Sequence, residues 1–454
     1  MPYLRIVKTI VALSTPVGSG AIGVLRLSGP EALAIVKHFT PSLPNWKPRY
    51  AHFARFEVDG TPLDEVVAIW YKGPLSYTGE DVVELSFHGS PYVLETALEA
   101  LCQQGATLAQ PGEFTQRAFF HGKLDLSQAE AVGDLIAAES RSAHRLAFRQ
   151  MKGSISRHLQ GLRQQLIDFA ALIELELDFV EEDVEFAQRA ALQKLLSDLT
   201  SEIKRMLKTF QLGHAIKEGI PLVLAGAPNA GKSTLLNRLL QEDRAIVTDI
   251  PGTTRDTLEE RFRLGAHLFR LMDTAGLHDS MDPVEKLGIQ RSWARMAEAH
   301  IILHLVDPQL TNPTEAQQLN AEIQKNAPES TCLTVLTKAD QWPKNLETGS
   351  FHATLTTGEG HSLEALEGAL HRVIEEQGWN GQADVLIANV RHASALEAAE
   401  DALTRAANGL HEGISGELVA YDLREALHHL GSITGEIVAD DLLSSVFSRF
   451  CIGK

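Results

Sequence analysis

Cysteine is almost missing from this chain. Three residues of 454, Cys102, Cys332 and Cys451, lie far apart. That excludes a disulfide framework and the paired spacing of a zinc site, and it suits a reducing cytosol. Long apolar runs are missing too. No stretch reaches the roughly 18 residues of a membrane span, so none is expected. The opening MPYLRIVKTIVALSTPVGSG has a short β-branched patch without a signal-peptide hydrophobic region, and reads as a first strand. Positive charge is short: 41 Lys and Arg against 59 Asp and Glu leave a net charge of −18. A chain this acidic is not a nonspecific binder of nucleic acid or anionic membrane. Any RNA contact needs a local basic patch or a basic partner. With 44% hydrophobic and 22% charged residues, wholesale disorder is excluded.

Proline is absent from two long stretches, residues 112–220 and 344–454. Because proline breaks helix interiors, and apolar residues recur there at helical spacing, the first stretch and the chain from about residue 390 are expected to be helical. Between them, IPLVLAGAP, HLFRLMDTAG, AHIILHLVD and CLTVLTKAD are apolar runs that end in polar loops and alternate with helical segments. This predicts a parallel sheet with crossover helices. The first 120 residues mix strands (GVLRLSG, HFARFEV, EVVAIWYKG, DVVELSFHG) with a helix near 91–104. The expected fold is multidomain α/β: an N-terminal α/β domain (1–121), and a helical domain in two parts (122–218 and 380–454) that flank an inserted nucleotide domain (219–379).

Gly226-Ala227-Pro228-Asn229-Ala230-Gly231-Lys232-Ser233 fits G-x-x-x-x-G-K-[ST], between a strand and a helix as a phosphate loop requires. Its amides would curl around phosphate oxygens. Lys232 would reach the β/γ-phosphates and the Ser233 hydroxyl would ligate Mg²⁺. Asp273-Thr274-Ala275-Gly276 closes the next strand, where an Asp holds Mg²⁺ through water and the glycine N–H senses the γ-phosphate. Thr337-Lys338-Ala339-Asp340 resembles the guanine-reading N-K-x-D. The Asp340 carboxylate would accept from guanine N1–H and the N2 amine, a donor pair that adenine lacks. Thr337 stands where Asn is usual. Leu277 occupies the place of the water-orienting Gln of Ras-type enzymes. Thr248-Asp249-Ile250-Pro251-Gly252-Thr253-Thr254 has the position of a first switch, with a Thr to complete the Mg²⁺ shell.

Taken together, GAPNAGKS, TDIPGTTRD, DTAGL, YTGEDVVELSFHG, PGEFTQRAFFHGKLDLSQAEAV, the interrupted helical domain and the terminal CIGK are similar to the tRNA-modification GTPase MnmE (TrmE) family over the whole chain. The resemblance implies a folate-binding N-terminal domain and a Ras-like G domain inserted into the helical domain. It implies a K⁺-dependent, cytoplasmic GTP hydrolase. With a flavoprotein partner, MnmG (GidA), this enzyme would add an aminomethyl or carboxymethylaminomethyl group at C5 of the tRNA wobble uridine. The carbon would come from a 5-formyl- or 5,10-methylene-tetrahydrofolate. It also implies a constitutive homodimer through the N-terminal domain, a heterotetramer with the flavoprotein, and K⁺-supported contact between G domains.

By the same resemblance, GTP is bound by Asn229, Ala230, Gly231, Lys232, Ser233 and Thr234, by Thr248 to Thr254, by Asp273 to Gly276, and by Thr337, Lys338, Ala339 and Asp340. Mg²⁺ falls to Ser233 and Thr254, and K⁺ to Asn229, Thr248, Ile250 and Thr253. Glu285 would orient the attacking water. The folate contacts fall on Arg26, Glu84, Lys123 and Lys454, with Arg26 and the lysines suited to glutamyl carboxylates and Glu84 to the amino-pyrimidine edge. Cys451 would assist the one-carbon chemistry, and a dimer would let one chain's tail approach the folate site. Besides Thr337, Thr354-Leu355-Thr356 departs from the S-A-[RK] segment that backs the base. Two other readings compete: a ribosome-assembly switch GTPase, which would need no folate site, and a P-loop kinase, which Asp340 and the paired switch-like loops disfavour.

Overall fold

The computed structural model describes residues 8–178, 189–242, 260–272, 293–339, 352–355, 363–377, 385–437 and 440–453. The chain divides into two compact units, one of 1–133, 151–163 and 427–454, the other of 134–150 and 164–426.

The first unit is built on a sheet of β1 (Ile10–Leu13), β2 (Ile22–Ser28), β3 (Ala51–Val58), β4 (Thr61–Tyr71), β5 (Val82–His88) and β6 (Thr107–Leu108), in the order β3-β4-β5-β2-β1-β6. Only the β1–β6 pair is parallel. The strands alternate as a sheet with one buried face must. Leu25, Leu27, Ala54, Phe56, Val66, Ala68, Val83, Leu85 and Phe87 form one core with residues of α1 (Ala32–Phe39) and α2 (Pro91–Gln103). Phe56 anchors it, stacked on Phe39 at 5.0 Å and edge-on to Phe87 at 5.1 Å. The other face is open toward β3 and β4, with Phe53 68% and Val67 41% exposed, and covered at β1, where Ile10 and Ala12 are buried with Ala109 and Phe114. It carries Arg26 opposite Glu84 in the β2–β5 register. Four of these strands and α2 lie where the sequence places them.

The first proline-free stretch and the chain from about residue 390 are helical over their described residues, as expected. The first holds α3 (Glu113–Phe120), α4 (Leu126–Ala137), α5 (Arg141–Met151), α6 (Ser154–Asp178), α7 (Arg189–Lys208) and α8 (Phe210–Glu218).

In the second unit β7 (Ile220–Gly226), β8 (Glu260–Leu264), β9 (His267–Leu271), β10 (Ile301–Val306), β11 (Thr331–Leu336) and β12 (Ala353–Thr354) run in the order β12-β11-β10-β7-β9-β8. All pairs are parallel except β8–β9. The interior strands are largely apolar because both faces are covered: every residue of β10, His304 included, is buried. Helices α9 (Lys232–Glu242), α10 (Pro313–Asn326) and α11 (Glu364–Glu376) accompany the sheet, and α12 (Val390–Glu412) packs on α7. Helices α13 (Gly416–Thr434) and α14 (Asp440–Phe447) complete the chain. The multidomain α/β class is therefore as expected. The edge strand β8 departs from the expectation, because ERFRL interleaves charge with apolar residues instead of forming a run.

Candidate functional site

Each unit carries a site. In the second, β7 delivers its last residue, Gly226, into the phosphate loop and α9 begins at Lys232. Gly226 has φ +143°, and a Cβ there would collide with the Leu305 carbonyl. Only glycine permits that approach. Asn229 (φ +63°) and Gly231 (φ +97°) complete a left-handed curl of the kind that turns amides inward. The Lys232 ammonium lies across the loop, donating to the carbonyls of Gly226 (2.8 Å) and Ala227 (2.9 Å). Ser233 and Thr234 are exposed in the first turn of α9.

The base-reading segment is tied to this loop. The buried Thr337 hydroxyl donates to the Ala230 carbonyl at 2.8 Å and lies 3.3 Å from that of Val306. Lys338 Nζ bridges Asp307 Oδ2 (2.6 Å) and the Asn229 carbonyl (3.2 Å). The Ala339 N–H donates to the Leu355 carbonyl at 3.0 Å. Of the two departures from the family pattern, Thr337 has defined work, bridging the loops through its hydroxyl; at Leu355 it is the backbone carbonyl, which any residue would supply, that holds the segment. Asp307, at the end of β10, is nearly fully buried against Lys338. It belongs to no sequence motif.

Thr248, Asp249, Ile250, Pro251, Gly252, Thr253, Thr254, Asp273, Thr274, Ala275, Gly276, Glu285, Asp340 and Lys454 lie outside the described residues.

In the first unit, Arg26 on β2 and Glu84 on β5 meet directly. Arg26 Nε and Nη2 lie 2.9 and 2.8 Å from Glu84 Oε1. A ligand would therefore meet them as one paired unit and not as separate anchors at its two ends. The guanidinium carbon sits 5.8 Å from the ring centroids of both Tyr77 and Phe114, within cation–π range. Tyr77 is fixed by a 2.8 Å hydrogen bond with Thr115 Oγ1. Tyr71 OH donates to Glu84 Oε2 at 3.4 Å. Burial, then the Glu84 carboxylate, raises the Tyr71 phenol above its ordinary pKa. Burial also raises that of Tyr77, against the lowering effects of Thr115 and Arg26. Both phenols therefore stay protonated donors near neutrality.

Two further features build this cradle. Arg117, itself buried, ties the 76–81 loop to α3, pairing with Glu80 at 3.0 Å and Glu113 at 2.7 Å and donating to the Lys8 carbonyl at 3.0 Å. Exposed Lys123 lies beside Gly79 of that loop. The C-terminal tail also arrives, from the same chain. The Gly453 carbonyl accepts from Arg26 Nη1 and Ser14 Oγ, both at 3.3 Å, and the Gly112 N–H donates to the Cys451 carbonyl at 3.4 Å. Behind the tail, Phe447 and Leu443 of α14 pack on Leu126 and Ala129. The structure thus gathers Arg26, Glu84 and the tail from Cys451 to Gly453, with Lys123 one loop away. Among the described residues no group of three His, Cys, Asp or Glu side chains forms a metal cluster, and no helix is long and apolar enough to cross a membrane.

Two family models match this chain. The model of the GTP-binding protein TrmE N-terminus matches residues 9–123, and that of the MnmE helical domain matches residues 126–451. Curated relatives named tRNA modification GTPase MnmE align end to end. That of Cytophaga hutchinsonii is 43% identical over 98% of both chains. That of Christiangramia forsetii is 42% identical over 99% of this chain and 100% of its own. That of Chlorobium chlorochromatii is 44% identical over 98% of both.

Proposed function

Because the chain belongs to the tRNA modification GTPase MnmE family, we propose that it couples GTP hydrolysis in one unit to one-carbon chemistry at the tRNA wobble uridine in the other. The observation that carries this reading is the Arg26–Glu84 cradle, because a GTPase acting only as a switch has no use for a second built site. We assign residues 1–121 to folate binding and dimerisation, 219–379 to the G domain, and 122–218 with 380–454 to the helical domain.

The residues at hand fit the groups the proposal needs. The phosphate loop supplies inward amides, the Lys232 ammonium and the Ser233 hydroxyl, a donor set suited to Mg²⁺–GTP. Lys232 exchanges loop carbonyls for phosphate oxygens, and Thr254 supplies the second Mg²⁺ hydroxyl. Asp340 would select guanine, next along the chain from the tethered Thr337 and Lys338. Leu277 leaves no Gln to orient water, so Glu285 takes that role. Asn229, Thr248, Ile250 and Thr253 would hold a K⁺, which would offset phosphoryl charge when bound. Among these K⁺ ligands only Asn229 is described. In the first unit, a protonated phenol pair, a fixed guanidinium and aromatic walls suit a pterin bearing glutamyl carboxylates. A bound tetrahydrofolate supplies the carbon of the new C5 substituent. Arg26 and Glu84 orient it, Lys123 and Lys454 hold its acidic tail, and Cys451 stands by at the exposed tail. The open sheet face around Phe53 and Val67 is the dimer face. A flavoprotein partner of the MnmG type completes a heterotetramer, and the enzyme works in the cytoplasm.

The test is paired. Arg26→Ala should abolish the modified wobble nucleoside in cellular tRNA while GTP hydrolysis stays near the parent rate. Ser233→Ala should impair hydrolysis while a tetrahydrofolate derivative still binds. The same hydrolysis assay, with K⁺ exchanged for Na⁺, should lose most of its rate, and Asn229→Ala should blunt that difference. Normal wobble nucleosides in Arg26→Ala cells would return the chain to the switch reading. A rate indifferent to the cation would remove K⁺.

A further inference from the structure

An acidic chain that acts on tRNA must present a local basic surface or borrow one. Residues 140–167 contain no Asp or Glu but hold Arg141, Arg145, Arg149, Lys152, Arg157 and Arg163, within a chain of net charge −18. On α5 the charges are sorted by face. Ala143, Leu146, Ala147 and Gln150 are buried. Arg141, His144, Arg145 and Phe148 are exposed, and Arg149 is half-buried. The steps from Arg141 to Arg145 to Arg149 are each one helical turn, about 6 Å of rise. Within this ladder the His144 and Phe148 rings lie parallel, 10° apart in plane and 6.2 Å between centroids, with Phe148 44% exposed.

Local physics opposes this arrangement. Like charges at i and i+4 destabilise a helix, and Arg141 stands at the N-terminal end, where the macrodipole disfavours cations. No carboxylate occupies the first turn to compensate. Of the acids nearby, Asp134 pairs with Lys217 at 2.8 Å and Glu218 with Arg261 at 3.5 Å, while exposed Glu139 lies just before the helix and off the Arg141–Arg145 face. A sequence that breaks several local rules on one exposed face marks a functional face.

We infer that the exposed α5 face, Arg141, His144, Arg145 and Phe148, binds the tRNA, with the arginines on backbone phosphates and the Phe148 ring on an unstacked base. Guanidinium ladders interleaved with exposed aromatics are the chemistry of single-stranded and loop RNA recognition. An acidic protein surface would need the charges but not the ring. The inference rests on the tRNA-modification reading and assigns it a surface. That surface reaches the nucleotide sheet: next to Arg141, Ser142 donates from both N–H and Oγ to the Ala266 carbonyl in the β8–β9 turn, at 3.2 and 3.1 Å.

The experiment titrates the full chain against a fluorescently labelled, unmodified tRNA transcript with uridine at the wobble position, over a series of salt concentrations. R141E/R145E should weaken binding more than ten-fold. It should also flatten the slope of log K against log salt by roughly 0.7–0.9 for each phosphate that is no longer neutralised. F148A should cost about five-fold or more, with the salt slope kept. R141K/R145K should keep the parent slope, and basal GTP hydrolysis should be unchanged in all three. Parent-like affinity and slope in R141E/R145E overturn the inference, as does a parent chain that fails to bind the transcript at low salt. Retained tRNA affinity with lost assembly onto the flavoprotein partner also overturns it, and makes the face a protein dock. If tRNA from cells lacking the protein carries normal wobble nucleosides, the tRNA-modification reading fails by itself, and the titration still decides the surface.

Discussion

Thr337 shows how a residue can break a motif and still do its work. The pattern asks for Asn, but the physical need is a donor to the Ala230 carbonyl, and a threonine hydroxyl meets it at 2.8 Å. The sequence therefore marks Thr337 as a departure without revealing the tether, because motif matching counts side-chain identity and not hydrogen-bond geometry. Asp307 is invisible for the opposite reason. It belongs to no motif, and only the fold brings it to Lys338. Removing the Thr337 hydroxyl should cost about 0.5–1.5 kcal/mol, the usual net value of one hydrogen bond. Thr337→Ala should therefore bind a fluorescent GTP analogue roughly two- to ten-fold more weakly, and Thr337→Asn should restore affinity. Parent-like binding by Thr337→Ala would mean that the two loops are held together by Lys338 alone.

The elements themselves are unevenly legible in the sequence, for a physical reason. Strands buried on both faces announce themselves as apolar runs, so β7, β9, β10 and β11 can be read directly. The edge strand β8 cannot, since its alternation serves one buried face only. The buried polar groups inside β10 and β11 are also hidden. His304, 1% exposed, shares a 2.6 Å hydrogen bond with Asn320 Oδ1 of α10, and Asn320 Nδ2 donates to Thr334 Oγ1 at 3.0 Å. This network fastens α10 to the sheet. Burial lowers the His304 pKa below its ordinary value, although the Asn320 bond opposes the shift. Burial likewise lowers those of His267 and His300, while it pushes the Cys332 thiol up to about 11. The sign follows directly. With the folded pKa depressed, the unfolded chain binds more protons once pH falls below about 6.5. Stability is therefore full above that value and declines as pH drops through it toward the folded pKa. Chemical unfolding from pH 8 to pH 5 should show that decline. His304→Gln should reduce the slope by at most about 1.4 kcal/mol per pH unit, the limit for one proton. An unchanged slope would remove His304 from the acid response.

At the scale of the whole molecule, the chain returns to its own beginning. The Ser14–Gly453 bond spans 439 residues, and no periodicity or composition could disclose it. The tail reaches Arg26 from within its own chain. Glycine makes this possible. Gly453 has φ +94°, and a Cβ there would collide with the Leu13 carbonyl of β1, so backbone and not a pliable side chain would have to yield. Its neighbour Ile452 is 59% exposed and has no such constraint. Gly453→Ala should therefore displace the tail, take one acceptor from Arg26 and move Cys451 away from the cradle, while the phosphate loop in the other unit is untouched. In cells Gly453→Ala should behave like Arg26→Ala, losing the modified wobble nucleoside, whereas Ile452→Ala should keep it. GTP hydrolysis by both purified variants should match the parent. If Gly453→Ala leaves the nucleoside at normal levels, the tail is packing alone, and Cys451 has no part in the one-carbon step.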